Sequence, residues 1–177
     1  MQPSIVDHNA RKRQSVEIDP VGLRMPSLTL CDLIDDDLVS VETTELFRGA
    51  RTLLLGVPGA FTPVCTQHHL PEFIANADNL RAAGFSQLLC VAPNAPWTVQ
   101  RWAKEIDPEG KIRFLSDGNL SFVRKFGLTT RVDDLFLGEC SKRYLMTVND
   151  GVIERLRVER LVTDITCTST NSALLDA

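Results

Sequence analysis

The stretch Arg51-Thr-Leu-Leu-Leu-Gly-Val-Pro-Gly-Ala-Phe-Thr-Pro-Val-Cys65 joins an apolar run to a cysteine at the start of a helical pattern. Thr52 to Val57 has the length and continuous hydrophobicity of a strand that is buried on both faces. An amphipathic stretch from Thr66 to Ala83 follows, and Pro71 is expected to kink it. Cys65 would meet unpaired backbone N–H groups and the positive end of the helix dipole, which favour a thiolate. The segment therefore indicates a cysteine nucleophile.

Strand-like and helix-like patterns alternate along the rest of the chain. An edge strand is expected to start at Leu28 to Leu30. Further strands are expected at residues 87–92, 112–115, 144–148 and 152–158, the last two as a hairpin around Asn-Asp-Gly. Asn94 is expected to cap a helix, a short helix is expected over residues 120–126, and another from Asn171. The pattern predicts an α/β fold, in which helices flank a central mixed sheet that ends in a β-hairpin and a short C-terminal helix.

Length and charge limit the function classes. The chain has 177 residues, of which 44% are hydrophobic, and this suits one domain, expected at residues 21–177. Residues 1–20 are expected to be a flexible extension. They carry Arg11, Lys12 and Arg13 but no apolar signal core, so a cytoplasmic location is expected, with organellar targeting as the weaker alternative. A net charge of −4 argues against nucleic acid as a partner, and no apolar run is long enough to span a membrane.

The cysteines form no CxxC pair and stand at Cys31, Cys65, Cys90, Cys140 and Cys167. Their spacing argues against a zinc ribbon and against a dithiol reductase. An odd number of cysteines without a secretory signal is typical of an intracellular protein whose thiols are reduced. Cys90 lies in an apolar run and is expected in the core, whereas no role is predicted for Cys31 or Cys140.

A metal site at Cys65 is not expected, although His68 and His69 follow it closely. Adjacent side chains on a helix point about 100° apart, so two neighbouring histidines rarely bind one ion. Polar structural contacts are the favoured interpretation for both histidines.

The segment Pro58-Gly-Ala-Phe-Thr62-Pro-Val-Cys65 resembles the PxxxTxxC signature of peroxiredoxins, which are AhpC/TSA-like redoxins. The wider run, together with His69-Leu-Pro-Glu-Phe73, resembles the peroxiredoxin 5 (type II) subfamily, and the similarity extends from about Val21 to the C-terminus. This resemblance implies a thioredoxin-like fold and reduction of hydrogen peroxide and alkyl hydroperoxides. It also implies a homodimer, no metal or organic cofactor, and thioredoxin, glutaredoxin or glutathione as the reductant.

The resemblance also implies roles for individual residues. Cys65 is the expected peroxidatic cysteine, Thr62 the hydroxyl that bonds the thiolate and the peroxide, and Pro58 the residue that shields the pocket. Arg143, within Ser-Lys-Arg-Tyr, is the expected active-site arginine, and Cys167 is the expected resolving cysteine. If Cys65 and Cys167 form a disulfide, the first turn after Cys65 is expected to unwind.

A reactive thiolate alone does not make a fast peroxidase, because the nucleophilicity of a thiolate falls as the pKa of its thiol falls. Arg143, Thr62 and the N–H of Cys65 are therefore expected to stabilise the charge that develops on the leaving oxygen. Alternatives remain open at this point. They are a one-cysteine enzyme resolved by glutathione or glutaredoxin, a redox sensor or holdase that uses Cys65 oxidation as its signal, a disulfide reductase, and a non-catalytic module.

Overall fold

The computed structural model describes residues 19–177. The expected extension, residues 1–20, lies outside the described residues except for Asp19 and Pro20. The strands are β1 Thr29–Ile34, β2 Asp37–Glu42, β3 Arg51–Gly56, β4 Gln87–Ala92, β5 Arg113–Ser116, β6 Thr129–Val132, β7 Gly138–Ser141, β8 Tyr144–Asn149 and β9 Val152–Val158. The helices are α1 Thr43–Leu46, a π-helical turn Cys65–His69, α2 Leu70–Ala75, α3 Ala77–Ala82, α4 Pro96–Ile106, α5 Ser121–Lys125 and α6 Thr170–Leu175.

One seven-stranded sheet forms the centre of the fold, with the order β2-β1-β5-β4-β3-β8-β9. The three middle strands β5, β4 and β3 are parallel, while β1 and β8 join them antiparallel on either side. The expected hairpin is β8–β9, and α6 is the expected C-terminal helix. The predicted mixed α/β sheet is thus confirmed.

Strand β3 is apolar from Leu53 to Leu55 because its two faces line two different cores. Leu53 and Leu55 pack with Trp102 on the face covered by the helices that follow Cys65 and by α4. Leu54 points to the opposite face, where it packs with Phe122. Full burial of each such leucine stabilises the fold by about 1.5–3 kcal/mol relative to exposure. A strand that is buried on both faces loses the alternation of polar and apolar residues that marks a half-exposed strand.

The predicted helix over residues 66–83 is divided into three segments. Leu70 N–H bonds to Cys65 O, five residues back, so the first turn is wider than an α-turn. Pro71 follows in the first turn of α2, where its missing N–H removes the bond that a regular helix would make at this position. A second break at Asn76 separates α2 from α3. The kink expected at Pro71 therefore takes the form of a wide turn that begins at Cys65.

Several predicted elements need correction. β1 starts within the expected Leu28–Leu30, at Thr29, but it lies inside the sheet instead of at its edge, because β2 pairs with it and forms the edge. Neither β2 nor the separate β6–β7 hairpin was predicted. Asn94 does not cap α4, whose N-cap is Ala95. Pro96 begins that helix without an N–H group, and the Asn94 side chain instead accepts a hydrogen bond from Ala60 N–H at 2.7 Å.

Gly56 allows the close approach of β3 and β8. It lies opposite Tyr144, and a Cβ atom on Gly56 would stand 1.8 Å from Cε1 of the tyrosine ring. We expect Gly56→Ala to lower the free energy of unfolding by about 3 kcal/mol, measured by urea denaturation, since the buried ring cannot move aside. Gly59→Ala is the matched control, because the nearest atoms to its Cβ would be Thr62 Cγ2, at 3.3 Å, and Asn94 Oδ1, at 3.7 Å. An unchanged urea midpoint in Gly56→Ala would contradict the close approach.

Candidate active site

Cys65 lies in a short loop and turn that leave the end of β3. Pro63 and Val64 are already helical, so the cysteine belongs to the first helical turn, where backbone N–H groups lack intrahelical acceptors. Its side chain is fully buried. Thr66 N–H donates to Thr62 O at 3.0 Å, which closes the turn around the cysteine. The loop before it is fixed to the rest of the fold by the Ala60 N–H···Asn94 hydrogen bond.

Arg143 provides the cation beside this sulfur. The arginine immediately precedes β8 and is 1% exposed. Its Nη2 donates to Cys65 Sγ at 3.4 Å and to Val162 O at 2.8 Å. Its Nη1 donates to His69 Nδ1 at 2.9 Å. The guanidinium therefore joins three segments of the chain, and it stabilises negative charge on the Cys65 sulfur.

His69 has only one protonation state that satisfies its contacts. A guanidinium can only donate, so Nδ1 must accept and the ring proton resides on Nε2, which donates to Thr168 O at 2.9 Å. Burial lowers the pKa of His69 to about 4, and the Arg143 charge adds to this effect. Phe73 contacts the ring edge-on, with the centroids 5.3 Å apart. His69 is thus a neutral, fixed support for the arginine.

The structure brings some of the predicted site residues together and leaves others apart. Cys65 and Arg143, 78 residues apart in sequence, are in direct contact. Pro58 is buried within the loop that precedes the cysteine. The Thr62 hydroxyl donates to Gly59 O at 2.9 Å. This hydrogen bond stabilises the loop, and the hydroxyl does not donate to the Cys65 sulfur. Trp102 is buried under the turn and donates from Nε1 to Thr66 Oγ1 at 3.0 Å.

Cys167 lies in the segment between β9 and α6, which is organised around Glu159. This carboxylate is 3% exposed and accepts hydrogen bonds from N–H groups of Thr166, Cys167 and Thr168 at 2.7, 2.8 and 2.9 Å. It also accepts from the hydroxyls of Thr166 and Thr168 at 2.6 and 2.9 Å. Burial alone would raise the pKa of Glu159, but these hydrogen bonds outweigh burial and lower it to about 2. Sequence reasoning missed Glu159, because nothing in its local pattern indicates a carboxylate bonded to residues further along the chain.

The same segment contacts the helices that follow Cys65. Besides the bonds from Arg143 to Val162 and from His69 to Thr168, Thr170 bonds to Glu72 of α2 through its N–H, at 3.0 Å, and through its hydroxyl. Cys167 is half-buried, and its Sγ donates to Val158 O at 3.6 Å. Both Cys65 and Cys167 are free thiols. The resolving cysteine expected from the sequence thus lies in the segment whose Val162 and Thr168 carbonyls accept hydrogen bonds from Arg143 and His69.

Two of the remaining cysteines, Cys90 and Cys140, are also buried. Cys90 is fully buried in β4, as expected, and its pKa is raised well above the ordinary value by burial and by the nearby Cys65 charge. The pKa of Cys140 is raised by the same two causes. Between residues 19 and 177, no group of three His, Cys, Asp or Glu side chains is arranged to hold a metal ion. No helix in that part of the chain is long and apolar enough to cross a membrane.

A family profile described as Redoxin matches residues 20–174. Peroxiredoxin-2E, a chloroplastic protein of Arabidopsis thaliana, is 36% identical over 143 residues, which cover 78% of this chain and 61% of that protein. Hybrid peroxiredoxin hyPrx5 of Haemophilus influenzae is 34% identical over 138 residues, which cover 78% of this chain and 57% of that protein. The chain therefore spans less than two thirds of the length of these curated relatives.

Solved structures match along nearly their full length. Reduced Prx3 from Vibrio vulnificus in complex with hydrogen peroxide has a TM-score of 0.82 at 33% identity, covering 88% of this chain and 97% of that one. Oxidised Prx3 from the same organism has a TM-score of 0.73 at 37% identity, covering 78% and 87%. The fold expected from the resemblance is confirmed as thioredoxin-like. This chain belongs to the redoxin family and, within it, to the peroxiredoxins of the type II, or peroxiredoxin 5, kind.

Proposed function

We propose that this chain is a thiol-dependent peroxidase that reduces hydrogen peroxide and alkyl hydroperoxides at Cys65. The observation that carries the proposal is the 3.4 Å contact between Arg143 Nη2 and Cys65 Sγ inside a buried site. A cation at this distance stabilises negative charge on sulfur, and thiolate is the form that attacks peroxides. The Vibrio relative solved with hydrogen peroxide supports the choice of substrate.

In the proposed reaction the Cys65 thiolate attacks one peroxide oxygen, and the O–O bond breaks as the S–O bond forms. Cys65 becomes a sulfenic acid, and the other oxygen leaves as water or an alcohol after it takes up a proton. Negative charge develops on that leaving oxygen. Arg143 and the first-turn N–H of Cys65 are the fixed donors near it, with the Thr62 hydroxyl able to rotate from Gly59 O to contribute. Pro58 shields the site from water.

Cys167 is proposed to resolve the sulfenic acid. Its thiol would displace water from Cys65 and form an intramolecular disulfide, which thioredoxin or a glutaredoxin/glutathione system then reduces. Support comes from the loop itself, which contacts the Cys65 helices through Thr168 and Thr170. Because Cys65 is fully buried in its wide turn, the turn and the loop must both open for the two sulfur atoms to meet.

The chain is further proposed to form a homodimer in the cytoplasm. Phe61, in the loop between β3 and Cys65, and Trp97, in the first turn of α4, are exposed apolar side chains. They are 45% and 57% accessible, and they suit the interface of a homodimer. Residues 21–177 would form the functional domain. Five free thiols are consistent with a reducing, cytoplasmic compartment, although the relatives include a chloroplastic protein.

Sedimentation equilibrium tests the dimer, since Trp97→Ser should shift the protein toward the monomer mass.

Intact mass after one equivalent of hydrogen peroxide tests the peroxidase and its resolving cysteine. We expect the mass of the wild-type protein to decrease by two hydrogen atoms as a disulfide forms, and the mass of Cys167→Ser to increase by one oxygen atom. Cys31→Ser is the matched control and should behave as the wild type. Oxygen gain in both the wild type and Cys167→Ser would instead indicate a one-cysteine enzyme that needs an external thiol. If neither protein changes mass within seconds, the peroxidase proposal fails.

Arg143→Lys tests the arginine. Lysine retains the charge but cannot contact Cys65, His69 and Val162 together as the planar guanidinium does. We expect the second-order rate constant for hydrogen peroxide to fall by about 100-fold, the usual effect of losing a transition-state donor. Arg124→Lys, on an exposed arginine that pairs with Glu139, should leave the rate unchanged. A rate within twofold of the wild type in Arg143→Lys would remove the arginine from the mechanism.

The neutral state of His69 predicts how stability depends on pH. With a pKa near 4 in the folded protein and about 6.5 when unfolded, His69 binds a proton more readily in the unfolded chain. Stability is therefore full above pH 6.5 and falls as the pH decreases toward 4, by about 3 kcal/mol from this group. Urea midpoints across this range should show the slope in the wild type and in His68→Gln, but a weaker slope in His69→Gln. Identical slopes in all three proteins would contradict the assigned state.

A further inference from the structure

The segment from Glu159 to Thr170 forms a closed loop around one buried anion, and we call it the Glu159 loop. Three consecutive residues, with Cys167 in the middle, direct their N–H groups to the Glu159 carboxylate. The hydroxyls of Thr166 and Thr168 add two further bonds. Removing Cys167 from this arrangement would leave a buried carboxylate short of donors, which is costly for a charged group.

The closed loop also supports the reduced active site. Val162 O holds Arg143, and Thr168 O holds the His69 ring that positions the same arginine. Glu159 N–H bonds to Arg143 O at 2.9 Å, so the loop begins where the arginine is anchored. The closed loop thus favours the step in which Cys65 attacks peroxide, whereas disulfide formation requires the loop to open.

We propose that Glu159 is a positioning residue whose carboxylate holds this loop closed and thereby limits how fast Cys167 resolves oxidised Cys65. The inference rests on the proposed function of Cys65 and Cys167. In the resolving step the Cys167 sulfur bonds to the Cys65 sulfur, the S–O bond of the sulfenic acid breaks, and water leaves with the thiol proton. No further oxidant or reductant takes part.

Glu159 would then control a competition at Cys65. While the loop is closed, the sulfenic acid can meet a second peroxide, which transfers one oxygen to give sulfinic acid and leaves as water or an alcohol. A slow opening step therefore increases sensitivity to excess peroxide. Burial and the Glu159 charge also raise the pKa of the Cys167 thiol, so the attacking thiolate is scarce in the closed loop.

Glu159→Gln tests the proposal, because the amide has nearly the same shape but turns charge-assisted hydrogen bonds into neutral ones. Stopped-flow fluorescence can follow both steps, since the buried Trp102 contacts Thr66 beside the reacting cysteine. We expect disulfide formation to become about tenfold faster, the factor that about 1.4 kcal/mol represents. The first step should stay within threefold of the wild type. The peroxide concentration that gives half sulfinic acid by intact mass should rise by the same factor as the second step.

Two further variants separate a role in the loop from general loss of structure. Thr166→Val removes a single hydroxyl donor to Glu159 and should accelerate disulfide formation by a smaller factor, about threefold. Glu154→Gln removes a carboxylate from β9 that faces Arg51 and Asn149 instead, and it should leave both steps unchanged. A variant that is merely destabilised would slow the first step instead of accelerating only the second.

The outcomes distinguish this inference from the function on which it rests. If Glu159→Gln forms the Cys65–Cys167 disulfide at the wild-type rate or more slowly, the positioning role is wrong and the resolving role stands. If an equally fast second fluorescence phase remains in the Glu159→Gln/Cys167→Ser double variant, which cannot form the disulfide, that phase does not report attack by Cys167, and the inference is overturned. If the wild type forms no Cys65–Cys167 disulfide, the resolving proposal fails and this inference fails with it.

Discussion

The buried guanidinium of Arg143 is the constraint on which the rest of the site depends. A charge that is 1% exposed must find its partners inside the protein, and Arg143 finds them in Cys65, His69 and Val162. These partners come from the turn after β3 and from the segment before α6. Each must therefore hold its place for these three contacts to persist, since the buried Nε of Arg143 has no partner among residues 19–177.

Strand pairing explains why the cysteine and the arginine meet. β3 ends at Gly56 and β8 begins at Tyr144, and the two residues lie opposite each other in an antiparallel pair. The chain that leaves β3 toward Cys65 and the chain that enters β8 from Arg143 consequently share one edge of the sheet. Because Gly56 has no side chain, the Tyr144 ring can lie across β3. The pairing of β3 with β8, which brings Cys65 and Arg143 together, therefore depends on a glycine at this position.

The sequence predicted those parts of the molecule whose signal is local. The apolar run of β3, the cysteine after it and the β8–β9 hairpin each have a pattern within about ten residues, and the family that this motif indicated is confirmed. The edge strand β2 was missed because it is short and largely exposed, with only Val41 buried, so little burial shapes its composition. Asn94, which was expected to cap a helix, and Glu159, which had no predicted role, were misjudged for another reason. Their partners lie elsewhere in the chain, and only the folded backbone brings the donors to them.

The shared acceptor in the Glu159 loop has a consequence for how the loop can move. Loops held by independent hydrogen bonds can fray from one end, losing one contact at a time. Here Thr166, Cys167 and Thr168 bond to the same carboxylate oxygen, so a displacement of that one oxygen breaks all three bonds together. Opening is then cooperative, and the loop behaves as a small two-state element with few intermediate positions between closed and released.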